Sequence, residues 1–332
     1  MERVKVRLVM EERRRPDVYP AEVLADIDRI ADLARPFLTA QELADQPDAL
    51  RDTEVLLTGW GAPVIDAALL ERAPRLRAVL HAAGSVKHIV TDAAWERGVV
   101  VVSAASANAE PVAAMTAAQI LLAARGVQAS RRVYRAERSL AASRVASGAR
   151  GSVVGLVALG EIGRRVAERL RGTGVRMLAA DPFASAETAA ELGVELVPLE
   201  ELFSDSDVVS LHAPLLPSTT GMIGAALLER MPRDATLINT ARGGLIDEPA
   251  LIDVLSRRGD LTALLDVTVT EPPASDSPLW ALENVELTPH VAGSMGADRA
   301  GMGQLVCDEL ERLIEGGSLR HEITREALAR TA

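Results

Sequence analysis

The sequence contains little cysteine, few aromatic residues and almost no lysine. One cysteine, Cys307, among 332 residues excludes an intrachain disulfide and a cysteine-rich zinc site, and we predict no metal site. Aromatic residues form 2% of the chain, so alanine, valine and leucine must fill the core. The two lysines are Lys5 and Lys87, and arginine supplies the remaining basic side chains apart from histidine.

A long apolar run and an excess of positive charge are also missing. The run at Ile120–Ala124 is too short to cross a bilayer, and Met1–Lys5 alternates like a strand rather than a signal peptide. The net charge of −11 opposes binding to nucleic acid or to an anionic membrane. We therefore expect a cytoplasmic protein without nucleic-acid or membrane partners, in which an anionic small molecule needs a local positive pocket.

Short apolar runs alternate with helical patterns along the chain, whose length suits two domains. This alternation predicts parallel sheets covered by helices on both faces. The elements predicted first are the strands Val4–Met10, Glu54–Thr58, Arg77–His81 and Val99–Val102 and the helices Ala21–Ala34, Ala67–Ala73 and Thr91–Arg97. A long helix over Glu110–Arg125, with Asn108 as its cap, and a helix over Ala129–Ala142 follow.

A second series of strands begins after a break at Ser147–Gly151. Its predicted strands are Val153–Ala158, Arg176–Asp181, Val208–His212, Thr236–Asn239, Ala263–Asp266 and Val285–Leu287. Six strands with intervening helices predict a doubly wound dinucleotide-binding fold. A helix over Gly296–Gly316 follows, and the tail after Gly317 is expected to return to the first domain. The predicted domains are residues 1–106 with 298–332, and residues 107–297.

The first strand of this second series leads into a glycine-containing turn, Ala158-Leu159-Gly160-Glu161-Ile162-Gly163. Between a strand and a helix, this pattern is typical of a turn that holds a pyrophosphate at the helix N-terminus. Alanine occupies the first glycine position, where it is tolerated if φ is negative. Asp181, at the end of the next strand, is suited to a ribose diol and repels a 2′-phosphate, which predicts NAD as the cofactor.

Three polar residues follow late strands of the same series: Arg242, Glu271 and His290. Ligands of open α/β sheets bind outside the carboxyl ends of the strands. An arginine binds a carboxylate bidentately and polarises an adjacent carbonyl. An imidazolium donates a proton to the carbonyl oxygen as hydride arrives at carbon, and a neighbouring carboxylate orients the imidazole and favours its charged form. The trio predicts chemistry on a small 2-keto or 2-hydroxy acid.

These stretches together resemble the D-isomer-specific 2-hydroxyacid dehydrogenase family. The matching motifs are Gly155–Gly163, His212–Leu215, Asn239–Gly244, Glu271–Pro273 and Thr288–Gly293. The resemblance implies a Rossmann NAD-binding domain, a flavodoxin-like substrate domain and a homodimer joined through the nucleotide domains. It assigns carboxylate binding to Arg242, proton transfer to His290 and tuning of that histidine to Glu271. The cofactor residues it implies, beyond the turn and Asp181, are His212, Ala213, Pro214, Thr240, Ala241, Asp266, His290 and Gly293.

The resemblance also implies that backbone amides of a first-domain loop hold the substrate carboxylate. This loop contains Gly84, Ser85, Val86 and Lys87, with Ser85 in place of a glycine and Lys87 in place of an acid. Lys87 is a candidate partner for a second anionic group of the substrate, and Trp60 is a candidate wall of the same pocket.

Two other functions remain open on the sequence. A non-catalytic, nucleotide-sensing scaffold of the corepressor kind has no need of all three of Arg242, Glu271 and His290, which argues against it. Phosphite oxidation uses the same trio on the same fold, whereas formate enzymes are typically longer and carry glutamine at the position of Glu271.

Overall fold

The computed structural model describes residues 3–328 and divides the chain into two compact units. The first unit contains the described residues up to Asn108 and those from Ser294 onward, and the second contains Ala109–Gly293. The ends of the predicted first domain, residues 1–2 and 329–332, lie outside the described residues. The functional roles predicted for the two domains stay predictions at this point.

Thirteen strands occur in the described part of the chain. They are β1 Lys5–Val9, β2 Asp32–Leu38, β3 Val55–Thr58, β4 Ala78–His81, β5 Val100–Ser103, β6 Val153–Val157, β7 Arg176–Ala180, β8 Val194–Leu196, β9 Val208–Leu211, β10 Thr236–Asn239, β11 Thr262–Leu265, β12 Val285–Leu287 and β13 Glu322–Ile323.

The helices separate these strands, as the alternating pattern predicts. They are α1 Arg15–Val18, α2 Ala21–Ile30, α3 Ala40–Ala44, α4 Ala67–Arg72, α5 Asp92–Glu96, α6 Ala105–Ala124, α7 Val127–Glu137, α8 Glu161–Leu170, α9 Ala186–Leu192, α10 Leu199–Asp205, α11 Ala225–Leu228, α12 Glu248–Arg257, α13 Asp298–Glu315 and α14 Arg325–Leu328. Short 3₁₀ turns occupy Glu12–Arg14, Leu140–Val145, Gly243–Leu245 and Pro278–Trp280.

The first unit has a six-stranded sheet in the order β13-β5-β4-β3-β1-β2. Its five long strands are parallel and follow the flavodoxin-like order 2-1-3-4-5, whereas β13 joins β5 in antiparallel orientation. The central strands are buried on both faces, which explains their continuous apolar sequences. The flavodoxin-like fold expected for this part of the chain is confirmed.

Strand β2 was not predicted, because the helical pattern over Ala21–Ala34 appeared to continue through its first residues. Helix α2 ends at Ile30, and Asp32–Leu38 forms an edge strand that pairs with β1 alone. Pro36 within this segment disfavours a helix, and an edge strand tolerates a residue without an amide hydrogen. Leu33 and Leu38 point into the core of the first unit and fix the strand there.

The C-terminal segment returns to the first unit, as predicted. Helix α13 buries Met302 and Val306 in the core of this unit. Its Gly303 lies so close to α1 that a Cβ atom would meet the carbonyl oxygen of Val18 at 1.8 Å. The fully buried carboxylate of Glu309 accepts hydrogen bonds from the amides of Arg320 and His321. These two residues directly precede β13, so the bonds fix the start of that strand.

The second unit has a seven-stranded parallel sheet in the order β12-β11-β10-β9-β6-β7-β8. The strands β8-β7-β6-β9-β10-β11 reproduce the 3-2-1-4-5-6 order of a Rossmann domain, and β12 extends the sheet by one strand. This confirms the predicted dinucleotide-binding fold. Strand β8, Val194–Leu196, was not predicted because it has three residues and includes the exposed Glu195.

Helix α6 begins earlier than predicted, at Ala105 instead of Glu110. Asn108 therefore lies in its first turn and does not cap it; its side-chain oxygen accepts a hydrogen bond from the amide of Ser294 at 2.8 Å. No single helix of residues 3–328 is long and apolar enough to cross a membrane. Helices α6 and α7 together have the necessary length and apolar composition, but they are bent by 54° relative to each other.

Candidate functional site

The turn between β6 and α8 has the geometry of a phosphate-binding turn. Gly160 caps α8, and a Cβ atom on it would meet nothing within 4 Å, so an anion has access to the backbone there. At Gly163 a Cβ atom would meet the carbonyl oxygen of Ala158 at 2.3 Å, so only glycine allows the helix to pack this close to the turn. Glu161 and Ile162 form the first turn of the helix between these two glycines.

Ala158 corrects one expectation. A negative φ was expected because the residue is alanine, but its φ is 75°, the left-handed conformation that favours glycine. The turn therefore keeps the backbone shape of the glycine pattern despite the Cβ atom. The surrounding structure imposes this shape, since the amide of Ala158 donates to the carbonyl oxygen of Ala180 at 2.9 Å.

Asp181 is fixed beside this turn by two backbone amides. Its Oδ2 atom accepts from the amide of Leu159 at 2.7 Å, and its Oδ1 atom accepts from the amide of Phe183 at 2.8 Å. Each carboxylate oxygen can accept more than one hydrogen bond, so capacity for a ribose diol remains. The residues of the turn and Asp181 thus fit a dinucleotide whose ribose carries free hydroxyls.

The other predicted cofactor residues follow the carboxyl ends of neighbouring strands. His212, Ala213 and Pro214 follow β9, and Thr240 and Ala241 follow β10. His212 is buried, both of its ring nitrogens lack a hydrogen-bond partner among residues 3–328, and burial lowers its pKa to about 4. The hydroxyl of Thr240 lies 2.8 Å from that of Thr116 on α6.

Asp266, at the end of β11, organises the loop that contains His290. Its carboxylate accepts hydrogen bonds from the hydroxyl of Thr288 at 2.5 Å and from the amides of Val291 and Ala292 at 2.9 and 2.8 Å. The carbonyl oxygen of Asp266 also accepts from the amide of His290 at 3.0 Å. Asp266 therefore holds this loop, which ends near Gly293, in one conformation.

The structure brings two members of the predicted trio into direct contact. The Nδ1 atom of His290 lies 2.6 Å from the Oε2 atom of Glu271. About half of the His290 side chain is exposed, so the ring is accessible from solvent. His290 has a φ of 54°, a left-handed backbone conformation that is uncommon for residues other than glycine. Because Nδ1 faces the carboxylate, Nε2 is the ring atom left for another partner.

Arg242, the third member, follows β10 and is half-buried. Its Nη1 atom donates to the carbonyl oxygen of Ala241 at 2.6 Å. Burial lowers the pKa of its guanidinium, and the charge of Glu271 acts in the opposite direction. A Cβ atom on the next residue, Gly243, would meet the carbonyl carbon of Thr268 at 2.0 Å, so glycine is required where the Arg242 loop meets the segment leading to Glu271.

His290 and Glu271 also line a pocket of about 620 Å³, which Asp266 and Thr268 share. Trp280 and several prolines supply its apolar wall. Trp280 is 54% exposed, and its indole nitrogen donates to the carbonyl oxygen of Ala274. The sequence prediction did not include this residue. Its position in a proline-rich segment shortly after Glu271 was the sequence feature that could have indicated it.

The other predicted substrate residues lie in the first unit. Gly84, Ser85 and Val86 follow β4, and the exposed Lys87 comes next. Trp60 follows β3, and two guanidiniums lie close to its ring, with the Cζ atoms of Arg14 and Arg299 at 5.2 and 5.7 Å from the ring centroid. The ring thus contacts cations of the first unit.

His81 is a buried group that the sequence left without a role. It ends β4, is 1% exposed, and its Nδ1 atom lies 2.9 Å from the hydroxyl of Thr58. Burial lowers its pKa to about 3, and the nearby His88 adds to this effect. Within residues 3–328, no cluster of three or more histidine, cysteine, aspartate or glutamate side chains has the geometry of a metal site.

Comparison with known sequences decides the family. The sequence profile described as "D-isomer specific 2-hydroxyacid dehydrogenase, NAD binding domain" matches residues 117–292. The chain belongs to the D-isomer-specific 2-hydroxyacid dehydrogenase family. NAD is therefore the cofactor of the second unit, in agreement with the turn and with Asp181. The family predicted from the motifs is confirmed.

Similar members of this family carry different names. A glyoxylate reductase of Korarchaeum cryptofilum is 37% identical over 79% of this chain and 80% of the relative. A D-3-phosphoglycerate dehydrogenase of Archaeoglobus fulgidus is 33% identical over 78% of this chain but 49% of the relative. The chain spans about half the length of the D-3-phosphoglycerate dehydrogenases that it matches. Among solved structures, D-mandelate dehydrogenase of Rhodotorula graminis has a TM-score of 0.83 at 26% identity, covering 97% of this chain and 98% of that one.

Proposed function

We propose that the protein is an NAD-dependent oxidoreductase that transfers a hydride between nicotinamide and a small 2-hydroxy or 2-keto acid. The observation that carries the proposal is the 2.6 Å contact between His290 and Glu271. This pair follows β11 and β12 of the sheet whose β6 leads into the dinucleotide turn. An acid–base pair and a nicotinamide cofactor at the carboxyl edge of one sheet are what this reaction requires.

Arg242 binds the carboxylate of the substrate in this proposal. Its planar guanidinium offers donors in a fork that matches a carboxylate, and one donor is already used on Ala241. Partial burial strengthens the attraction between this cation and an anionic ligand, because less water screens it. The same guanidinium polarises the neighbouring carbonyl group toward reduction.

His290 transfers the proton. Its Nδ1 atom is engaged by Glu271, so Nε2 faces the substrate and donates a proton to the carbonyl oxygen during reduction. When bound, NADH supplies the hydride that the carbonyl carbon accepts. Glu271 orients the imidazole through its contact with Nδ1. In the oxidation direction His290 accepts the same proton.

The first-unit loop supplies the remaining substrate contacts in this proposal. The amides of Gly84, Ser85 and Val86 bind the substrate carboxylate, and Trp60 lines the substrate pocket. Lys87 is exposed and carries a charge opposite to that of an anionic substrate. We therefore propose that it favours 2-keto acids with a second anionic group, by raising their local concentration against the net charge of −11.

We further propose that the protein is a homodimer joined through α6, α7 and the following turn. Leu122, Tyr134 and Leu140 are 41%, 54% and 83% exposed, and large apolar side chains that are exposed in a monomer become buried when two copies associate. Sedimentation of the unaltered protein and of a Leu140→Glu variant tests this proposal. A monomer at micromolar concentration in both samples contradicts it. The cytoplasmic location expected from the sequence stays a prediction.

A panel of substrates tests the proposed activity directly. The full chain is assayed with NADH and with NADPH on glyoxylate, pyruvate, hydroxypyruvate, phenylglyoxylate and dianionic 2-keto acids, and with NAD⁺ on phosphite. Oxidation of NADH that depends on a 2-keto acid supports the proposal. Turnover of phosphite alone indicates the phosphite chemistry, and binding of NADH without turnover of any compound indicates a sensing scaffold.

A further inference from the structure

The hydroxyl of Ser103 joins three backbone segments of the first unit. Ser103 ends β5 and is 3% exposed. Its Oγ atom lies 2.7 Å from the carbonyl oxygen of Gly84 and 3.2 Å from that of Ala83. The same oxygen accepts a hydrogen bond from the amide of Ala105 at 3.1 Å, so the hydroxyl hydrogen is left to be donated to the loop carbonyls.

This contact fixes the direction of the amides in the loop. A trans peptide unit is planar, and its N–H bond points opposite to its C=O bond. The carbonyl of Gly84 is turned toward the buried Ser103, so the N–H of Ser85 must point the other way. The longer contact with the carbonyl of Ala83 orients the N–H of Gly84 in the same manner.

The amides that are oriented in this way have no acceptor within the described chain. Among residues 3–328, no hydrogen bond is donated by the backbone amides of Gly84, Ser85 or Val86. Successive amides without acceptors form an anion-binding concavity. Gly84 and Ser85 are partly exposed, so these amides are open to a ligand with acceptor oxygens.

We propose that Ser103 is a positioning residue that aligns the amides of Gly84 and Ser85 for the carboxylate of the substrate. This inference rests on the proposed function, in which the same loop binds that carboxylate. Ser103 does not touch the substrate; it acts through the peptide units of the loop. Without its hydroxyl the carbonyl of Gly84 loses its donor, and the peptide units are free to rotate away from the orientation that binds the anion.

The competing explanation is that Ser103 only stabilises the start of α6 by accepting the amide of Ala105. A purely structural role lowers thermal stability and leaves ligand binding unchanged once the protein is folded. A positioning role raises the KM for the keto acid. The two roles are therefore separated by measuring stability and substrate binding on the same variants.

The experiment compares Ser103→Ala and Ser103→Thr in the full chain. Ser206→Ala is the matched control, because Ser206 is fully buried in the second unit and its hydroxyl has no partner among the described residues. We measure kcat and KM for the best keto acid, the melting temperature, the Kd of NADH by fluorescence, and the Kd of oxamate in the presence of NADH. Oxamate carries the carboxylate and carbonyl of a 2-keto acid but is not reduced.

For Ser103→Ala we expect KM and the Kd of oxamate to rise about three- to tenfold, as for one lost hydrogen bond, with the Kd of NADH unchanged. Ser103→Thr, which keeps the hydroxyl, should stay within about twofold of the unaltered protein, as should Ser206→Ala. If Ser103→Ala does not fold, Ser103→Thr becomes the test, because it keeps the hydroxyl. A KM of Ser103→Thr that is raised about three- to tenfold then contradicts the proposal.

The outcome also separates this inference from the proposed function. An unaltered protein that reduces no 2-keto acid overturns the proposed function. An unaltered protein that does so, with a Ser103→Ala variant whose KM and oxamate Kd are normal while its melting temperature is lowered, overturns only the role of Ser103.

Discussion

The Nδ1 atom of His290 lies 2.6 Å from the Oε2 atom of Glu271. This contact orients the ring through one nitrogen and leaves Nε2 for another partner. Asp266 fixes the loop that carries the ring, through the amides of Val291 and Ala292. The proposed proton donor is thus positioned by two carboxylates with separate tasks, one on the ring and one on the backbone.

We expect His290→Gln to lower kcat for keto-acid reduction by about 10²–10⁴-fold, as for a lost general acid. Glutamine keeps a hydrogen-bonding side chain of similar length but has no proton to give, so KM should change little. Steady-state kinetics with saturating NADH measure both constants. A near-normal kcat in this variant means that another group supplies the proton.

We expect Glu271→Ala to lower kcat for keto-acid reduction by about tenfold with KM nearly unchanged, because the contact between Oε2 and Nδ1 that orients the ring is lost. Glu271→Gln keeps a side-chain oxygen that can accept from Nδ1 and should lose less activity. Steady-state kinetics with saturating NADH measure both variants. A near-normal kcat of Glu271→Ala shows that this contact does not orient the ring.

Asp181 is expected to determine the preference for NAD over NADP. Asp181→Asn removes the charge but keeps one acceptor for the amides of Leu159 and Phe183. Its ratio of kcat/KM for NADPH to that for NADH should rise by about tenfold, or roughly 1.4 kcal/mol. Asp181→Ala also loses both backbone contacts and should weaken NADH binding as well.

Equal kcat/KM for the two cofactors in the unaltered protein contradicts this assignment. Arg164 is then the next residue to examine. Its Nε atom donates to the carbonyl oxygen of Leu159 at 2.8 Å, and Leu159 is also the residue whose amide donates to Asp181.

The parts of the fold that repeat a strong pattern could be predicted from the sequence, and the exceptions have local causes. The fully buried strand Thr236–Asn239 was predicted to the residue. Strand β2 was missed because Leu33 continues the apolar spacing of the preceding helix before Pro36 interrupts it. Short-range patterns cannot distinguish the end of one element from the start of the next.

The candidate site also has parts that local sequence patterns predict and parts that they do not. Motifs placed Glu271 and His290 at the ends of neighbouring strands, and their contact follows from the parallel sheet. The orientation of the loop amides by Ser103 depends on two segments about 20 residues apart in sequence, which no local pattern encodes. The positive φ of Ala158 is likewise a consequence of packing, because the intrinsic preference of alanine is for a negative φ.

This strained alanine leads to a prediction about stability. Ala158→Gly should raise the free energy of unfolding by about 1 kcal/mol, because glycine adopts a φ of 75° without the Cβ clash. The control is Ala190→Gly in α9, an exposed helical position, where the same change should lower stability by about 1 kcal/mol. Urea denaturation measures both. A loss of stability in both variants shows that Ala158 is not strained.

The two buried histidines predict how stability depends on pH. Burial lowers the pKa of His81 to about 3 and that of His212 to about 4, whereas the ordinary value is 6.5. Below pH 6.5 the unfolded chain binds protons that the folded protein excludes, so stability falls as pH falls. The loss continues until pH approaches the folded pKa of each histidine. Between pH 6.5 and 5 it amounts to about 1.6 kcal/mol for each group.

Variants that cannot titrate test this origin of the pH dependence. His212→Asn and His81→Gln should each reduce the loss of unfolding free energy between pH 7 and 5, and the double variant should reduce it further. Each substitution also changes packing, so the quantity compared is the slope with pH and not the stability at one pH. Carboxylates contribute equally to the slope in all the proteins and cancel in the comparison. A double variant with the slope of the unaltered protein would show that the folded state admits protons to both rings, which contradicts their burial as neutral groups.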